Sequence, residues 1–185
     1  MVLKGLSIAP LALLAIWKRQ WLLASALAFG SFGDVLLEVK PEMFPAGLAA
    51  FLVGHVFYMW LFTRSRPKPF HWTRTQLALV IALVLFATAM SVYLIPSVGM
   101  FAPAVVAYMI ALVCMAITAI AMQLPEPWVA IGAVLFVISD SILAVSKFKT
   151  PVPAREVLVW WTYYFGQMGI AIGFLRAQSK KSPQR

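Results

Sequence analysis

Seven long apolar segments follow one another along this chain, and their length is what most limits how it can fold. A helix needs about 20 mostly apolar residues to cross a bilayer, at a rise of about 1.5 Å per residue. The segments that meet this requirement are residues 2–17, 20–38, 43–63, 75–95, 100–122, 126–146 and 155–177, of which the first is the shortest. The sequence therefore predicts an all-α, polytopic bundle of seven transmembrane helices.

Proline residues stand near the ends of the predicted spans, where a helix tolerates them. Pro45 lies at the start of the third span, Pro96 is predicted to end the fourth, and Pro125 and Pro127 are predicted to open the sixth. A transmembrane β-barrel would instead show short segments of alternating hydrophobicity, and the sequence has none.

The composition leaves little room for a soluble unit. Hydrophobic residues make up 63% of the 185 residues and charged residues 11%, whereas a soluble domain has about 45–50% apolar and about 25% charged residues. No hydrophilic stretch is long enough for a second folded unit, so we expect residues 1–185 to form a single integral membrane domain. The N-terminal segment ends in Lys18 and Arg19 without a small-residue cleavage site directly after it, which does not favour a signal peptide.

The basic residues indicate an orientation in the membrane rather than a nucleic-acid partner. Fifteen Lys and Arg against six Asp and Glu give a net charge of +9, and the cations lie in short loops and at the C-terminus. If all seven segments cross, one face carries Lys4, Lys40, Lys147, Lys149 and Arg155, and the other carries Lys18, Arg19, Arg64, Arg66, Lys68, Arg74, Arg176, Lys180, Lys181 and Arg185. Because cytoplasmic loops are enriched in Lys and Arg, the C-terminus is predicted to be cytoplasmic, in a bacterial inner membrane.

Two acidic residues, Asp34 and Asp140, lie inside predicted spans. Inserting an aspartate near the middle of a helix costs about 2.5–3.5 kcal/mol, so such residues are candidates for function. Depths along the helices, counted from the non-cytoplasmic ends, are about 6 Å for Asp34, 9 Å for Asp140, 12 Å for Tyr108, 13 Å for Tyr164, and 18 Å for His55 and Gln167. These polar groups share one half of the bilayer, which favours a common site over structural polar pairs between helices.

Helical spacing predicts which faces carry this site. On the third span Phe51, His55, Tyr58 and Phe62 form one stripe, with Gly47 and Gly54 beside it to admit a neighbouring helix. On the seventh span Trp160, Tyr164 and Gln167 share a face, with Tyr163 next to it. The predicted substrate-binding residues are His55, Tyr58, Tyr108, Tyr163, Tyr164 and Gln167.

Five segments follow one another along the chain: SFGDVLL (31–37), GLAAFLVGHVFYM (47–59), PAVVAYMIALVCMA (103–116), GAVLFVISDSILA (132–144) and TYYFGQMGI (162–170). In this order they resemble the lysoplasmalogenase (YhhN-like) family of membrane proteins. The resemblance implies a hydrolase that cleaves the vinyl ether of a lysoplasmalogen, a lysophospholipid taken from the bilayer, to a fatty aldehyde and glycerophosphocholine or glycerophosphoethanolamine. Family descriptions give eight spans, one more than the seven predicted for this chain.

Vinyl-ether hydrolysis explains why two carboxyl groups are needed. A carboxylic acid protonates the outer alkene carbon, a carboxylate stabilises the oxocarbenium ion, and water captures it, as in glycosidases. We expect Asp34 and Asp140 to be the catalytic pair, with Asp140 as the general acid because its sequence neighbours are more apolar. This chemistry requires neither a cofactor nor a metal ion.

Two other readings remain open from the sequence. Asp34 and Asp140 are both followed by leucine at +3 and tyrosine at +24, which fits an internal repeat and thus a small proton- or ion-coupled transporter or a lipid-binding protein. A metal-dependent hydrolase would use His55 with the two acids. Since Cys114 is the single cysteine and one histidine is few for zinc, the metal reading is the weaker of the two.

Overall fold

The computed structural model of this chain describes the backbone of residues 3–39, 41–123 and 127–181 and the side chains of residues 7–38, 42–123 and 127–180. Over these residues it is all-helical, without strands. The α-helices are α1 (Leu3–Trp17), α2 (Trp21–Val39), α3 (Phe44–Ser65), α4 (Arg74–Val98), α5 (Ala102–Ile120), α6 (Trp128–Phe148) and α7 (Arg155–Lys181). Their ends differ from those of the seven predicted segments by at most four residues.

Among the described residues, four helical stretches are long and apolar enough to cross a membrane, which makes the chain an integral membrane protein of the helical type. They are Trp21–Glu38, Phe44–Ser65, Arg74–Ile120 and Trp128–Phe148. The stretch Arg74–Ile120 contains both α4 and α5, joined by the short 3₁₀ turn Gly99–Phe101. The helices α1 and α7 are not among these stretches, so a crossing by all seven helices stays a prediction.

The end of α4 corrects one expectation from the sequence. Pro96 does not end the helix, which continues to Val98 and stops at Gly99, where φ is +62°. A proline removes only one backbone hydrogen bond, and a membrane helix supported by neighbours tolerates that loss. The turn is set by glycine, which adopts a positive φ without steric cost. Pro127 directly precedes α6 as predicted, whereas Pro125 lies outside the described residues.

Close glycine contacts join the helices into two tight pairs. In the α2–α3 pair, a Cβ atom on Gly47 would lie 2.7 Å from Leu37 and one on Gly54 would lie 3.2 Å from the Ala26 carbonyl oxygen, which confirms the predicted close approach. In the α6–α7 pair, a Cβ on Gly132 would lie only 2.5 Å from the Gly166 carbonyl oxygen. Small residues bring helix backbones together because lipid supplies no hydrophobic force between helices.

The packing of the helices places the lining of the site at one end of the bundle. Helix α3 packs on α2 and α5, α5 packs on α6, and α4 lies at the edge of the bundle against α5 and α6. At one end of the bundle α2, α4 and α6 finish while α3, α5 and α7 begin. We call this the cavity end, since a cavity lined by these helices lies there.

Substituting Gly132 by leucine is expected to destabilise the bundle, because the new side chain would meet the backbone of α7 at Gly166. Overpacking of this kind costs about 1–3 kcal/mol, and here the obstacle is backbone that cannot rotate away. The midpoint of thermal unfolding in detergent measures the effect. The control Ala82→Leu adds a similar side chain to an exposed position of α4. Equal midpoints for the two variants would contradict the close packing of α6 on α7.

Candidate functional site

A cavity of about 240 Å³ lies at the cavity end and is lined by residues from α2 to α7. Most of its wall is apolar. The polar side chains that line it are Asp34, Glu38, Tyr108, Ser139, Asp140, Ser141, Lys147, Arg155 and Tyr163. An apolar pocket with a few convergent polar groups is the usual form of a small-molecule site.

Both predicted catalytic aspartates line this cavity from different helices. Asp34 comes from α2 and is 9% exposed, and Asp140 comes from α6 and is partly buried. Tyr108 of α5 lines the same cavity, and its hydroxyl donates a hydrogen bond to Oδ2 of Asp140. The structure thus brings together the two acids and one of the predicted substrate-binding residues.

Tyr163 of α7 completes the polar lining on the side of Asp34. Its side chain is near the carboxyl group of Asp34 and the amide of Gln167. Gly30, one helical turn before Asp34, leaves the space for these groups, since a Cβ there would lie 3.2 Å from the Tyr163 oxygen and 3.3 Å from Nε2 of Gln167. The absence of a side chain on α2 therefore lets α7 present polar groups next to the carboxyl.

A second polar layer, formed by His55, Tyr58 and Gln167, lies behind the cavity wall. The Tyr58 hydroxyl donates to Oε1 of Gln167 at 2.5 Å. The His55 ring packs edge-on against Tyr108 and Phe136, each with a centroid distance of 5.2 Å. Neither His55 nitrogen nor Nε2 of Gln167 has a hydrogen-bond partner among the described side chains and backbone. Buried donors and acceptors of this kind are normally satisfied, so this layer has the capacity to bind water.

Tyr164 is the one predicted site residue that does not join the others. It does not line the cavity, and its ring stacks on Trp160 with a centroid distance of 5.4 Å. The face of α7 that packs inward carries Val159, Tyr163 and Gln167 instead, all of them buried. The predicted α7 stripe was therefore right for Gln167 and wrong for Trp160 and Tyr164. The α3 stripe of Phe51, His55, Tyr58 and Phe62 is buried throughout.

Three further residues of the site were not identified from the sequence. Phe136 is 1% exposed and packs against both His55 and Tyr163. Ser139 lines the cavity and donates to the Val159 carbonyl oxygen at 3.1 Å, which ties α6 to α7. Glu38 lines the cavity four residues after Asp34, and that i, i+4 spacing on one helix face was a usable signal.

Metal-ligating side chains do not cluster in the part of the chain that the structure describes: no group of three or more His, Cys, Asp or Glu residues there is arranged to hold an ion.

Comparison with known proteins gives a consistent family. The profile of the YhhN family matches residues 1–174. A lysoplasmalogenase of Mycobacterium bovis is 32% identical over 165 residues, which cover 85% of this chain and 61% of that protein. The lysoplasmalogenases TMEM86B of Rattus norvegicus and Homo sapiens are each 32% identical, over 88% and 87% of this chain and 65% and 66% of theirs.

The chain thus spans less than two thirds of the length of these relatives. No solved structure matches it.

Proposed function

This chain belongs to the YhhN family, and we propose from that premise that it is a lysoplasmalogenase. It would hydrolyse the vinyl-ether bond of an alkenyl-glycerophosphocholine or -ethanolamine to a fatty aldehyde and the glycerophospho-headgroup. The names of the relatives support the activity. The observation that carries the proposal for this chain is that Asp34 and Asp140, from two different helices, line one largely apolar cavity.

The reaction adds water across the vinyl ether. A proton is transferred to the outer alkene carbon, the double bond becomes an oxocarbenium ion, and water adds to the carbon that bears oxygen. The resulting hemiacetal loses the glycerol oxygen as an alcohol and becomes the aldehyde. Water is the only co-reactant, so the proposal assigns no cofactor. The protein must supply one acidic proton, one group that stabilises positive charge, and a positioned water molecule.

We assign the proton to Asp140. A neutral carboxyl group has one carbonyl oxygen that accepts and one hydroxyl that donates. Because Tyr108 donates to Oδ2, a neutral Asp140 carries its proton on Oδ1, which is left free to face the substrate. Helix α2 then supplies Asp34 as the carboxylate that stabilises the oxocarbenium ion and accepts a proton from water, with Tyr163 beside it.

The second polar layer is the proposed store for the hydrolytic water. His55 offers two ring nitrogens and Gln167 an amide nitrogen, and none of these has a partner among the described residues. Tyr58 fixes the amide by donating to its oxygen. Water held by these groups would lie beside Tyr108 and Tyr163, which line the cavity. This layer supports the substrate-binding and water-binding roles proposed for His55, Tyr58 and Gln167.

The apolar part of the cavity suits the hydrocarbon chain of a lysolipid. Its wall includes Phe86 and Met90 of α4 and Met109 and Val113 of α5. Phe86 is 42% exposed on the outer helix of the bundle, so this wall reaches the surface that would face lipid. A lysophospholipid from the bilayer can therefore place its chain along α4 and α5 and its vinyl ether between the two aspartates.

We further propose that residues 1–185 form a single membrane domain in a bacterial inner membrane, with all seven helices crossing. The excess of Lys and Arg on the loops opposite the cavity end supports a cytoplasmic C-terminus. The cavity would then open toward the non-cytoplasmic leaflet.

One experiment tests the reaction class directly. Purified protein is incubated with a lysoplasmalogen, with its saturated alkyl-ether analogue and with an acyl lysophospholipid, and aldehyde is measured by mass spectrometry. We expect aldehyde from the vinyl ether alone. In D₂O the aldehyde should carry one deuterium on the carbon next to the carbonyl, because the proton is added there. The absence of aldehyde would refute the activity, and aldehyde without deuterium would refute the mechanism. Uptake of lysolipid into sealed vesicles without product would indicate transport.

The neighbouring residues Tyr163 and Tyr164 provide a matched pair for testing the site. Tyr163→Phe is expected to lower turnover about tenfold, since it removes a buried hydroxyl that has no hydrogen-bond partner among the described residues and can donate to the substrate or to bound water. Tyr164→Phe should leave turnover near the wild-type value, because its ring stacks on Trp160 outside the cavity. The reverse order of the two effects would contradict this view of α7.

A further inference from the structure

Glu38 is a third acid in the cavity, and the catalytic proposal does not use it. It lies one helical turn after Asp34 on α2, about 6 Å further toward the cavity end. Its Oε1 atom is buried and has no hydrogen-bond partner among the described residues. A buried carboxylate oxygen without a donor is costly, which points to a ligand that supplies one.

Two cations line the same cavity, and neither of them forms a described ion pair with Glu38. Lys147 of α6 has its Nζ 4.3 Å from the centre of the Phe44 ring, which holds the ammonium at the cavity end. Arg155, the first residue of α7, forms an ion pair with Glu156 at 3.9 Å, but the two side chains are 40% and 60% exposed and the pair is weak. Among the described side chains neither cation forms an ion pair with Glu38.

We propose that Glu38, Lys147 and Arg155 form a headgroup site for a phosphodiester that carries an ammonium group. Lys147 and Arg155 bind the phosphate, and Glu38 binds the ammonium. This inference rests on the proposed function, and it names the part of the substrate that each charge recognises. Lys147 lies seven residues after Asp140, or about 10 Å along α6, so a glycerophospho-headgroup is long enough to reach it from the catalytic pair.

The unpaired oxygen of Glu38 also selects between headgroups. The primary ammonium of ethanolamine has three N–H donors, whereas the trimethylammonium of choline has none. Only the former supplies the hydrogen bond that Oε1 lacks. The site therefore prefers ethanolamine over choline, and both over a phosphate without an ammonium group.

Binding of non-hydrolysable ligands tests the site independently of turnover. The probes are alkyl-ether analogues with phosphoethanolamine, phosphocholine and bare phosphate headgroups, and affinity is measured with the full chain in nanodiscs. Glu38→Gln is expected to weaken binding of the ethanolamine analogue about tenfold, close to the loss of one charged hydrogen bond, and to leave the bare phosphate analogue unchanged. Lys147→Gln should weaken all three.

Two nearby residues with the same charges serve as controls. Glu42 is exposed and absent from the cavity lining, and Lys149 has its Nζ 4.8 Å from the Tyr93 ring, also outside the lining. Glu42→Gln and Lys149→Gln should bind all three ligands as the wild type does. Unfolding midpoints verify that each variant is folded.

The outcomes separate the two proposals. A Glu38→Gln variant that binds all ligands like the wild type, or loses all three equally, overturns the headgroup site. If the wild type shows the expected binding pattern but releases no aldehyde from any lysoplasmalogen, the headgroup site stands and the enzymatic proposal fails. If aldehyde is released while Glu38→Gln changes nothing, the enzymatic proposal stands and the headgroup site fails.

Discussion

Replacing Asp140 by asparagine is expected to lower the rate of aldehyde release by a factor of about 10²–10⁴, the range contributed by a positioned general acid or base. Asparagine has nearly the same shape and can still accept the Tyr108 hydrogen bond, but its amide cannot protonate an alkene carbon. Asp34→Asn should cause a loss of similar size, because a neutral amide does not stabilise an oxocarbenium ion. Initial rates with a lysoplasmalogen at saturating concentration measure both effects.

The double variant distinguishes a catalytic pair from two independent acids. If Asp34 and Asp140 act in the same step, the combined substitution should cost little more than either one alone, since residues that act as a unit are not additive. Glu42→Gln removes an exposed acid at the same end of the bundle and should retain full activity. Wild-type rates from either single variant, with unchanged unfolding midpoints, would exclude that aspartate from the chemistry.

The positions of the helices were predictable from the sequence because the thickness of a bilayer fixes how long a span must be. The ends of the helices were less predictable where the conformation of a single residue sets the turn. Pro96 indicated a stop for α4, but the helix continues to Val98 because the positive φ of Gly99 sets the turn. The number of helices that cross the membrane does not follow from length alone, as α1 and α7 illustrate.

The inward face was predictable for α3 and not for α7. On α3 the spacing of Phe51, His55 and Tyr58 identifies one buried stripe. On α7 aromatic residues occur on both faces, and lipid is as apolar as a protein core, so aromatic character cannot separate an exposed residue such as Trp161 from a buried one such as Tyr163. Glycine spacing is the better guide on this helix.

The glycines of α7 mark the face that packs on α6. Gly166, Gly169 and Gly173 each lie against the backbone or a side chain of residues 128–136. Helical spacing puts Tyr163 on the same face of α7 as these glycines and Tyr164 to one side of that face, in agreement with the structure. The sequence therefore held the information that corrects the predicted stripe.

The sequence held one signal for Glu38, its i, i+4 spacing from Asp34, but its position at a helix end argued against a place in the site. It stands at the end of a predicted span, where charged residues normally meet water. Only the structure shows that α2 carries Glu38 into the lining of a cavity that Lys147, in the last turn of α6, also lines. The two central aspartates were recognisable because a charge deep inside an apolar segment is rare.

Tyr108→Phe tests how the proton of Asp140 is directed. The ring of Tyr108 packs against His55 and is retained, while the hydrogen bond to Oδ2 of Asp140 is lost. Without that bond the proton of a neutral Asp140 can reside on either oxygen, whereas the proposed mechanism needs it on Oδ1. Loss of one hydrogen bond to a group that changes charge costs about 1.5–3 kcal/mol, so kcat should fall about 10- to 100-fold with little change in KM.

Tyr93→Phe removes an exposed hydroxyl outside the cavity and should have no effect. An unchanged kcat in Tyr108→Phe would mean that Asp140 needs no partner to present its proton. An increase in KM alone would indicate that Tyr108 binds the substrate and does not orient the acid.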